Sequence, residues 1–438
     1  MSIHVKGAAL PDGSTRDLFI DDGTFVETLG TKPTTTIDAS GLLALPGLVD
    51  LHTHLREPGF EQSETVLTGS RAAAAGGYTA VFAMANTMPV QDTAGVVEQV
   101  QSLGERHGYV TVRPIGAVTA GLAGERLAEI GAMAQSRARV RVFSDDGHCV
   151  HDALLMRRAL EYVKTFGGVV AQHAQEPRLT VGAQLNEGAL SGELGLVGWP
   201  AVAEESIIAR DVLLAQHVGA RLHVCHVSTA GSVEVVRWAK ARGVDVTAEV
   251  TPHHLLLTEE LARGYDARFK VNPPLRRDED VHALRAALAD GTIDIVATDH
   301  APHPLEAKDC AWDEAANGMV GLESALSVVH AAVVESGQLG WGDVARVMST
   351  RPAEIGLLEG YGTPFAVGAP ANLTLYDAAA SRSFSVTDLH GKSVNSPYLG
   401  RTLPGRVIAT VHRGRPTVLE GELVSAETVA AAAEGDRG

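Results

Sequence analysis

Short apolar runs alternate along the chain with longer amphipathic stretches. The runs are rich in Val and Ala and lack the apolar–polar alternation of a strand that has one face in water. They are typical of strands covered on both faces, as in a parallel sheet. The eight candidates are Gly47–Leu55, Thr79–Asn86, Val110–Val118, Val140–Asp146, Val169–Gln175, Arg221–Ser228, Val246–His254 and Asp294–His303.

The stretches between these runs have the spacing of amphipathic helices. Glu205–Gly219 carries apolar residues on one face and ends on a glycine, a residue that commonly terminates helices. Ser232–Gly243 repeats that pattern, and Gly69–Gly76 contains a short Ala-rich helix. Eight strands that alternate with helices predict an α/β fold, a parallel (β/α)8 barrel of the TIM type.

Both ends of the chain have a different pattern, in which short alternating segments are broken by Gly, Pro and Asp. These segments are Asp17–Ile20, Asn372–Tyr376, Arg406–His412 and Pro416–Leu419. We expect residues 1–45 and 365–438 to form a small β-sandwich domain, and residues 46–364 to form the barrel. Pro46 and Gly47 mark the junction between the two.

The charge balance narrows the class of ligand. The formal net charge is −17, whereas nucleic-acid binding normally needs a basic face, so we expect no nucleic-acid partner. An acidic enzyme can still bind a small anionic substrate, provided that arginine, lysine or metal supplies local positive charge.

The compartment follows from what the sequence lacks. No apolar run reaches the roughly 18 residues that a membrane helix needs, and the first residues form no signal peptide. We therefore expect a cytoplasmic location and no membrane association. The three cysteines, Cys149, Cys225 and Cys310, are widely spaced, which predicts free thiols rather than disulfides or a cysteine-rich zinc site.

Candidate metal ligands stand at the ends of the predicted strands. His52 and His54 end the first strand and are two residues apart, so their side chains project to the same side. Taken alone, this pair fits two satisfied polar histidines equally well. Further donors end four later strands: Asp145-Asp146, His173, His226 and Asp299. In a parallel barrel these strand ends converge, and three or more His with two Asp suit two metals that share a carboxylate.

The motifs around these residues resemble those of the dihydroorotases, members of the amidohydrolase superfamily, whose fold is a metal-bearing (β/α)8 barrel. The resemblance covers nearly the whole chain, and its Asp-Asp-Gly stretch is similar to the class I bacterial branch. The motifs that carry it are Pro46–Gly59, Ala85–Thr87, Phe143–Gly147, Thr251–His254, Val271–Arg276 and Ala297–His303.

The resemblance implies two zinc ions per chain, bridged by a carboxylate and a hydroxide. One ion would be held by His52, His54 and Asp299, and the other by His173 and His226. Matching the spacing from Phe143 to Gly147 favours Asp146 as the bridge, with Asp145 as the second choice. Asp299 would also be the catalytic acid/base, although the role of a plain ligand fits the same position.

The resemblance also implies substrate contacts. Arg56 lies two residues after His54, on the same side if the chain is extended, where a guanidinium can pair with a carboxylate in two hydrogen bonds; the alternative is a surface salt bridge. The other substrate contacts that the resemblance implies are His54, Asn86, Asn272, His303, Asn317 and Gly318. Asn317 replaces the aromatic residue or proline that many relatives carry, so the placement of backbone groups there is open. His253, His254 and His300 are surplus to the site and are expected to be hydrogen-bonded supporting histidines, and His148 and His151 to be loop residues.

The function implied is the reversible, zinc-dependent interconversion of L-dihydroorotate and N-carbamoyl-L-aspartate, the third step of de novo pyrimidine (UMP) biosynthesis. Another cyclic amidohydrolase, such as an allantoinase or dihydropyrimidinase, is the alternative; those enzymes usually carry a lysine bridge and need no carboxylate clamp. A non-catalytic scaffold for aspartate carbamoyltransferase is a third, disfavoured because all six ligands are present. Among partners, the resemblance allows a homodimer and an association with aspartate carbamoyltransferase.

Overall fold

A computed structural model describes residues 1–435 of the chain. The strands are Ser2–Ala9 (β1), Thr15–Asp21 (β2), Thr24–Val26 (β3), Thr35–Asp38 (β4), Leu43–Pro46 (β5), Leu48–Thr53 (β6), Tyr78–Ala83 (β7), Thr111–Pro114 (β8), Val142–Phe143 (β9), Val169–Gln172 (β10), Leu185–Asn186 (β11), Gly198–Trp199 (β12), Leu222–Val224 (β13), Val246–Val250 (β14), Ile295–Val296 (β15), Leu373–Ser383 (β16), Thr402–His412 (β17), Arg415–Leu419 (β18) and Glu422–Leu423 (β19). The α-helices are Val66–Ala75 (α1), Ala94–His107 (α2), Ile130–Gln135 (α3), Ala153–Lys164 (α4), Ala189–Leu194 (α5), Val202–Val218 (α6), Ala230–Ala241 (α7), Pro252–Leu256 (α8), Asp278–Asp290 (α9), Ala325–Val329 (α10), Trp341–Ala345 (α11), Arg351–Ile355 (α12) and Ala426–Gly435 (α13).

Strands from both ends of the chain join in one sheet. Its order is β19-β18-β17-β16-β5-β1-β2-β3, with β4 beside β1. Apolar side chains from the two chain ends, among them Ile3, Ile20, Leu373 and Val411, share one buried cluster. This sheet ends at Pro46, and the next strand, β6, begins at Leu48 and pairs elsewhere, so the chain changes sheet at Pro46-Gly47.

Each of the eight apolar runs coincides with one parallel strand, although β7 begins one residue before its run, at Tyr78. β6, β7 and β8 form one parallel sheet, and β9, β10, β13, β14 and β15 form another. Single parallel bridges join the two sheets at both edges, from Gly116 to Phe143 and from Thr53 to His300. The regular strands are shorter than the runs, because each run continues into the loop at the carboxyl end of its strand.

Local signals in the sequence explain where the helices between these strands start and stop. α6 ends at Gly219, whose φ of 65° is the left-handed conformation that glycine adopts without a Cβ clash. α7 starts after Thr229, whose hydroxyl accepts from the backbone N–H of Ser232 at 3.0 Å. The run Val246–His254 is not strand throughout: its last residues begin α8, because Thr251 caps a helix whose first residue is proline.

The segment between β16 and β17, residues 384–401, leaves the terminal sheet and packs on the parallel strands' side of the molecule. Phe384 and Tyr398 are buried in one cluster with Leu257, Val271 and Met319. The expected terminal domain, residues 365–438, therefore includes a segment that packs against Leu257, Val271 and Met319.

The described residues contain neither a membrane-spanning helix nor a disulfide. None of their helices is both long enough and apolar enough to cross a membrane. Cys149, Cys225 and Cys310 are all free thiols, as the sequence predicts.

Candidate metal centre

Six buried His and Asp side chains converge at the carboxyl ends of five parallel strands. Their potential ligand atoms form two groups, and within each group the atoms lie within 4.8 Å of one another. One group comprises His52, His54, Asp146 and Asp299, and the other comprises Asp146, His173 and His226. Asp146 belongs to both groups, so it is the residue positioned to serve two ions at once.

The two carboxylate oxygens of Asp146 face different imidazoles. Oδ1 lies 3.2 Å from Nε2 of His226 and 3.4 Å from Nδ1 of His173, and also 3.4 Å from Nε2 of His52. Oδ2 lies 3.3 Å from Nε2 of His54. A carboxylate with imidazoles on both oxygens has the geometry of a bridging ligand.

Asp145 faces away from this cluster. Its carboxylate accepts from the backbone N–H groups of Val118 at 2.8 Å and Thr119 at 2.9 Å, and from the Thr119 hydroxyl. These contacts hold the segment after β9 against the segment after β8. Of the two candidates for the bridge, the geometry favours Asp146.

Glu249, in β14, orients two of the histidines and was not recognised in the sequence. His52 donates through Nδ1 to Oε1 of Glu249 at 2.6 Å, and the backbone N–H of His226 donates to the same oxygen at 3.2 Å. The Nε2 atom of His52 is left buried with no hydrogen-bond partner among the described residues. An acidic residue inside an otherwise apolar strand run was the signal available for it.

Two amides orient two more of the ligands. Nδ1 of His54 lies 2.9 Å from Oδ1 of Asn86, which leaves Nε2 directed at Asp146 and Asp299. Nε2 of His173 lies 2.8 Å from Oε1 of Gln175, which leaves Nδ1 directed at Asp146. Fixing the ring nitrogen opposite the ligating one is how metal-binding histidines are usually held.

The carboxylates of the cluster favour protonation of its histidines. Burial disfavours the charged form of His52, yet the negative charges of Asp146 and Glu249 raise its pKa well above the usual value. Burial likewise opposes ionisation of Asp299, but the charge of His52 and a hydrogen bond from His54 lower its pKa to about 2. Imidazole nitrogens around carboxylates, with a buried unpartnered nitrogen, fit a metal ion in place of these protons.

Known proteins of high similarity decide the family. The chain is 76% identical to the dihydroorotase of Leifsonia xyli subsp. xyli over 96% of its own length and 97% of that protein. The chain belongs to the dihydroorotase family. It is also 66% identical to the dihydroorotase of Streptomyces coelicolor and 53% identical to that of Mycobacterium tuberculosis, each over at least 96% of this chain and 99% of the relative. The family described as dihydro-orotase-like matches residues 41–232.

Solved structures of related enzymes share the fold. The L-hydantoinase (dihydropyrimidinase) from Arthrobacter aurescens is 25% identical, with a TM-score of 0.85 over 97% of both chains. A D-hydantoinase is 26% identical, with a TM-score of 0.83 over 97% of both chains. Membership of the dihydroorotase family, and with it an enzymatic function as an amidohydrolase, is confirmed.

Arg56 is a predicted substrate contact of this dihydroorotase-family chain, and it lies beside the cluster. The sequence argument placed it there by assuming that the chain stays extended after His54, and the structure differs on that point. Its φ is 63°, so the chain turns there instead of continuing extended from His54. Its Nε donates to the carbonyl of Pro302 at 3.2 Å. Burial lowers the pKa of Arg56 to about 10, and the carboxylates of Asp299 and Asp146 oppose that shift. The guanidinium therefore lies within electrostatic reach of the predicted metal site.

His303, Asn317 and Gly318 lie together beside Arg56. Nε2 of His303 donates to the backbone carbonyl of Asn317 at 2.8 Å. Burial and the charge of Arg56 lower the pKa of His303 to about 3, so the ring is neutral. Gly318 has a φ of 130°, and a Cβ there would lie 2.9 Å from Nε2 of His303, so any other residue would displace that ring.

Asn272 closes the opposite side of the cluster. Its Nδ2 donates to Oε1 of Gln175 at 3.1 Å and lies 3.5 Å from Nε2 of His173. Its Oδ1 is buried and has no partner among the described residues.

The surplus histidines differ in their surroundings. His254 contacts the Thr251 hydroxyl at 2.8 Å, and Nδ1 of His300 accepts from the backbone N–H of Gly321 at 3.2 Å. His253 is buried, and burial lowers its pKa to about 4; its Nε2 has no partner in the described part of the chain. His148 and His151 are exposed in a loop.

Asn395, in the segment between β16 and β17, is a further contributor that the sequence did not reveal. Its Oδ1 accepts from the backbone N–H of His303 at 3.2 Å, and its Nδ2 donates to the carbonyls of Ala301 at 3.0 Å and Gly318 at 3.3 Å. It therefore joins the two segments that flank the loop after β15.

Proposed function

We propose that this chain catalyses the reversible interconversion of L-dihydroorotate and N-carbamoyl-L-aspartate, the third step of de novo pyrimidine biosynthesis. The observation that carries the proposal is the pair of ligand groups that share Asp146 in a chain of this family. The motif resemblance and the names of the relatives point to the same reaction.

The proposed cofactor is a pair of zinc ions. His52, His54 and Asp299 would hold one, His173 and His226 the other, and Asp146 both. When bound, the ions supply Lewis acidity to the ring carbonyl and make water acidic enough to react near neutral pH. The side chains support this reading because three of the histidines have the ring nitrogen that faces away from the cluster on a fixed partner: Glu249 for His52, Asn86 for His54 and Gln175 for His173.

Asp299 is the proposed acid/base. In ring opening the oxygen of water bonds to the carbonyl carbon, the bond from that carbon to the ring nitrogen breaks, and the departing nitrogen needs a proton. The Asp299 carboxylate, 3.0 Å from Nε2 of His54, is near enough to the cluster to take a proton from water and deliver it to that nitrogen. In ring closure the same carboxyl would work in reverse.

The substrate carboxylate is proposed to bind between Arg56 and the neighbouring polar groups. Arg56 provides the charge, and the remaining predicted contacts provide hydrogen bonds: His54, Asn86, Asn272, His303, Asn317 and Gly318. This group supports the assignment because Arg56 is partly shielded from water, which strengthens a bidentate pair with a carboxylate.

We also propose the full architecture: a closed (β/α)8 barrel from residues 46–364 and a β-sandwich domain from the two ends. The parallel bridges at both edges of the two central sheets support closure. The cytoplasmic location, the homodimer and the association with aspartate carbamoyltransferase stay predictions.

A substrate panel tests the proposed function. Purified, zinc-loaded chain is assayed on L-dihydroorotate, dihydrouracil, hydantoin and allantoin at equal concentration. We expect turnover of dihydroorotate to exceed that of the three uncharged rings at least a hundredfold, because only dihydroorotate pairs with Arg56. Preference for an uncharged ring would replace the proposal with the allantoinase or dihydropyrimidinase alternative.

A further inference from the structure

Two buried lysines connect the loop after β15, residues 304–318, to the segment that precedes Asn272. Lys308 lies in this loop and is 7% exposed, and Lys270 lies in the segment and is 4% exposed. Lysine is rarely buried to this extent unless its ammonium group has partners.

The ammonium of Lys308 has three acceptors, one for each of its protons. It donates to the carbonyls of Ala316 at 2.7 Å, Ala267 at 2.8 Å and Lys270 at 3.0 Å. The first acceptor is in the loop and the other two are in the facing segment, so a single side chain holds both.

Lys270 makes the reciprocal connection. Its ammonium donates to the loop carbonyls of Trp312 at 2.5 Å and Asp313 at 3.3 Å. Its backbone carbonyl accepts from the N–H of Gly318 at 3.0 Å as well as from Lys308. The loop is therefore attached at its middle and at its end.

The two segments that the lysines connect each carry residues that contact the substrate in the proposed function. On the loop side, Asn317 and Gly318 follow directly after Ala316, and Asn317 accepts from His303. On the other side, Asn272 is two residues from Lys270 and contacts Gln175. The ammonium groups of the two lysines therefore add five hydrogen bonds that hold these two sides in their relative position.

Carbonyl dipoles, and not carboxylates, compensate the two charges. Every acceptor found for the two ammonium groups among the described residues is a backbone carbonyl oxygen. Burial and the neighbouring charge of Lys270 lower the pKa of Lys308 to about 7, and the charge of Lys308 contributes to the low pKa of His303. The positive charge of Lys308 therefore acts on His303, a predicted substrate contact.

We propose that Lys308 and Lys270 are positioning residues that set the affinity for the substrate by holding Asn317–Gly318 in place opposite Asn272. This inference rests on the proposed function. The lysines do not touch the metal ligands, so their removal alters the substrate pocket and leaves the metal centre intact.

The test is a comparison of KM with kcat in three variants of the full-length, zinc-loaded enzyme. Lys308→Met and Lys270→Met remove the ammonium groups, and Lys308→Gln keeps two donors without the charge. Lys164→Met is the matched control, because Lys164 also donates to a backbone carbonyl, that of Val218 at 2.9 Å, but on an exposed surface. Metal content and the melting temperature are measured on the same samples.

We expect Lys308→Met to raise the KM for dihydroorotate about tenfold, with kcat within about threefold of the parent and full metal content, since misplaced binding groups lower affinity before they affect chemistry. Lys270→Met should act in the same direction, and Lys308→Gln should give an intermediate KM. The inference is overturned if KM stays within about twofold of the parent in Lys270→Met and in whichever Lys308 variant folds. An equal rise of KM in the Lys164→Met control also overturns it. Absence of turnover in the unsubstituted enzyme overturns the proposed function instead.

Discussion

The Nδ1 atom of His52 lies 2.6 Å from Oε1 of Glu249, and this contact directs the other ring nitrogen at Asp146 and Asp299. Oε2 of the same glutamate lies 3.0 Å from Nε2 of His223, and Oε1 accepts from the backbone of His226. One buried carboxylate thus fixes a ligand from each of the two groups.

Replacing Glu249 with Gln tests that role. The amide keeps the size of the side chain but loses the charge that stabilises the His52 ring, so we expect zinc affinity to fall about 10- to 100-fold. Zinc titration in competition with a chromophoric chelator measures the change. The control is Glu98→Gln, which alters a carboxylate on α2 that accepts from the backbone of Arg137 at 2.9 Å on the surface. Unchanged zinc affinity in Glu249→Gln would make Glu249 a structural residue only.

The shared carboxylate gives a second prediction. Asp146→Ala should remove most bound metal and abolish activity, because both ligand groups lose a member. Asp145→Ala should retain its metal, since that carboxylate is bonded to Val118 and Thr119. Metal analysis of the two purified variants decides the matter, and exchanged phenotypes would move the bridge to Asp145.

A third prediction concerns the substrate carboxylate. Arg56→Met should raise the KM for dihydroorotate strongly and leave the metal content unchanged, because loss of a charge-assisted bidentate pair costs on the order of 2–4 kcal/mol. Steady-state kinetics in both directions measure it, with Arg178→Met, a loop arginine, as the control. If KM and kcat both stay at their parent values, Arg56 does not bind substrate.

Metal affinity should depend on pH in a stated direction. Burial disfavours protonation of His52, His54 and His173, but the nearby carboxylates raise all three pKa values. The metal-free centre therefore binds protons more tightly than free imidazoles do, and a metal must displace them, so metal affinity should rise as pH increases from 6 to 8 and fall as pH decreases. Calorimetry in buffers of different ionisation enthalpy should show net proton release; constant affinity and no release would contradict this charge distribution.

Sequence patterns predicted the features that depend on residues close together in the chain. The His52–His54 pair, the eight parallel strands and the glycine that ends α6 follow from periods of two or 3.6 residues. The same reasoning was wrong for the conformation at Arg56, because β6 ends at Thr53 and the chain then turns through a positive φ.

The contacts of the supporting residues could not be predicted, because their partners lie far away in the chain. Glu249 is 197 residues from His52, and Asn395 is 92 residues from His303. Neither lies in a motif whose spacing suggests a partner, and only the folded chain brings them together. Asn395 was assigned to the terminal β-domain, although its segment packs beside the predicted substrate site.

The most direct test of the account is turnover of L-dihydroorotate while zinc is added back to the chelated enzyme. We predict no turnover in the metal-free chain, and activity that rises with added zinc and saturates at two equivalents per chain, since the six ligands form two groups joined by Asp146. Full turnover after chelation, or saturation at a single equivalent, would contradict the account.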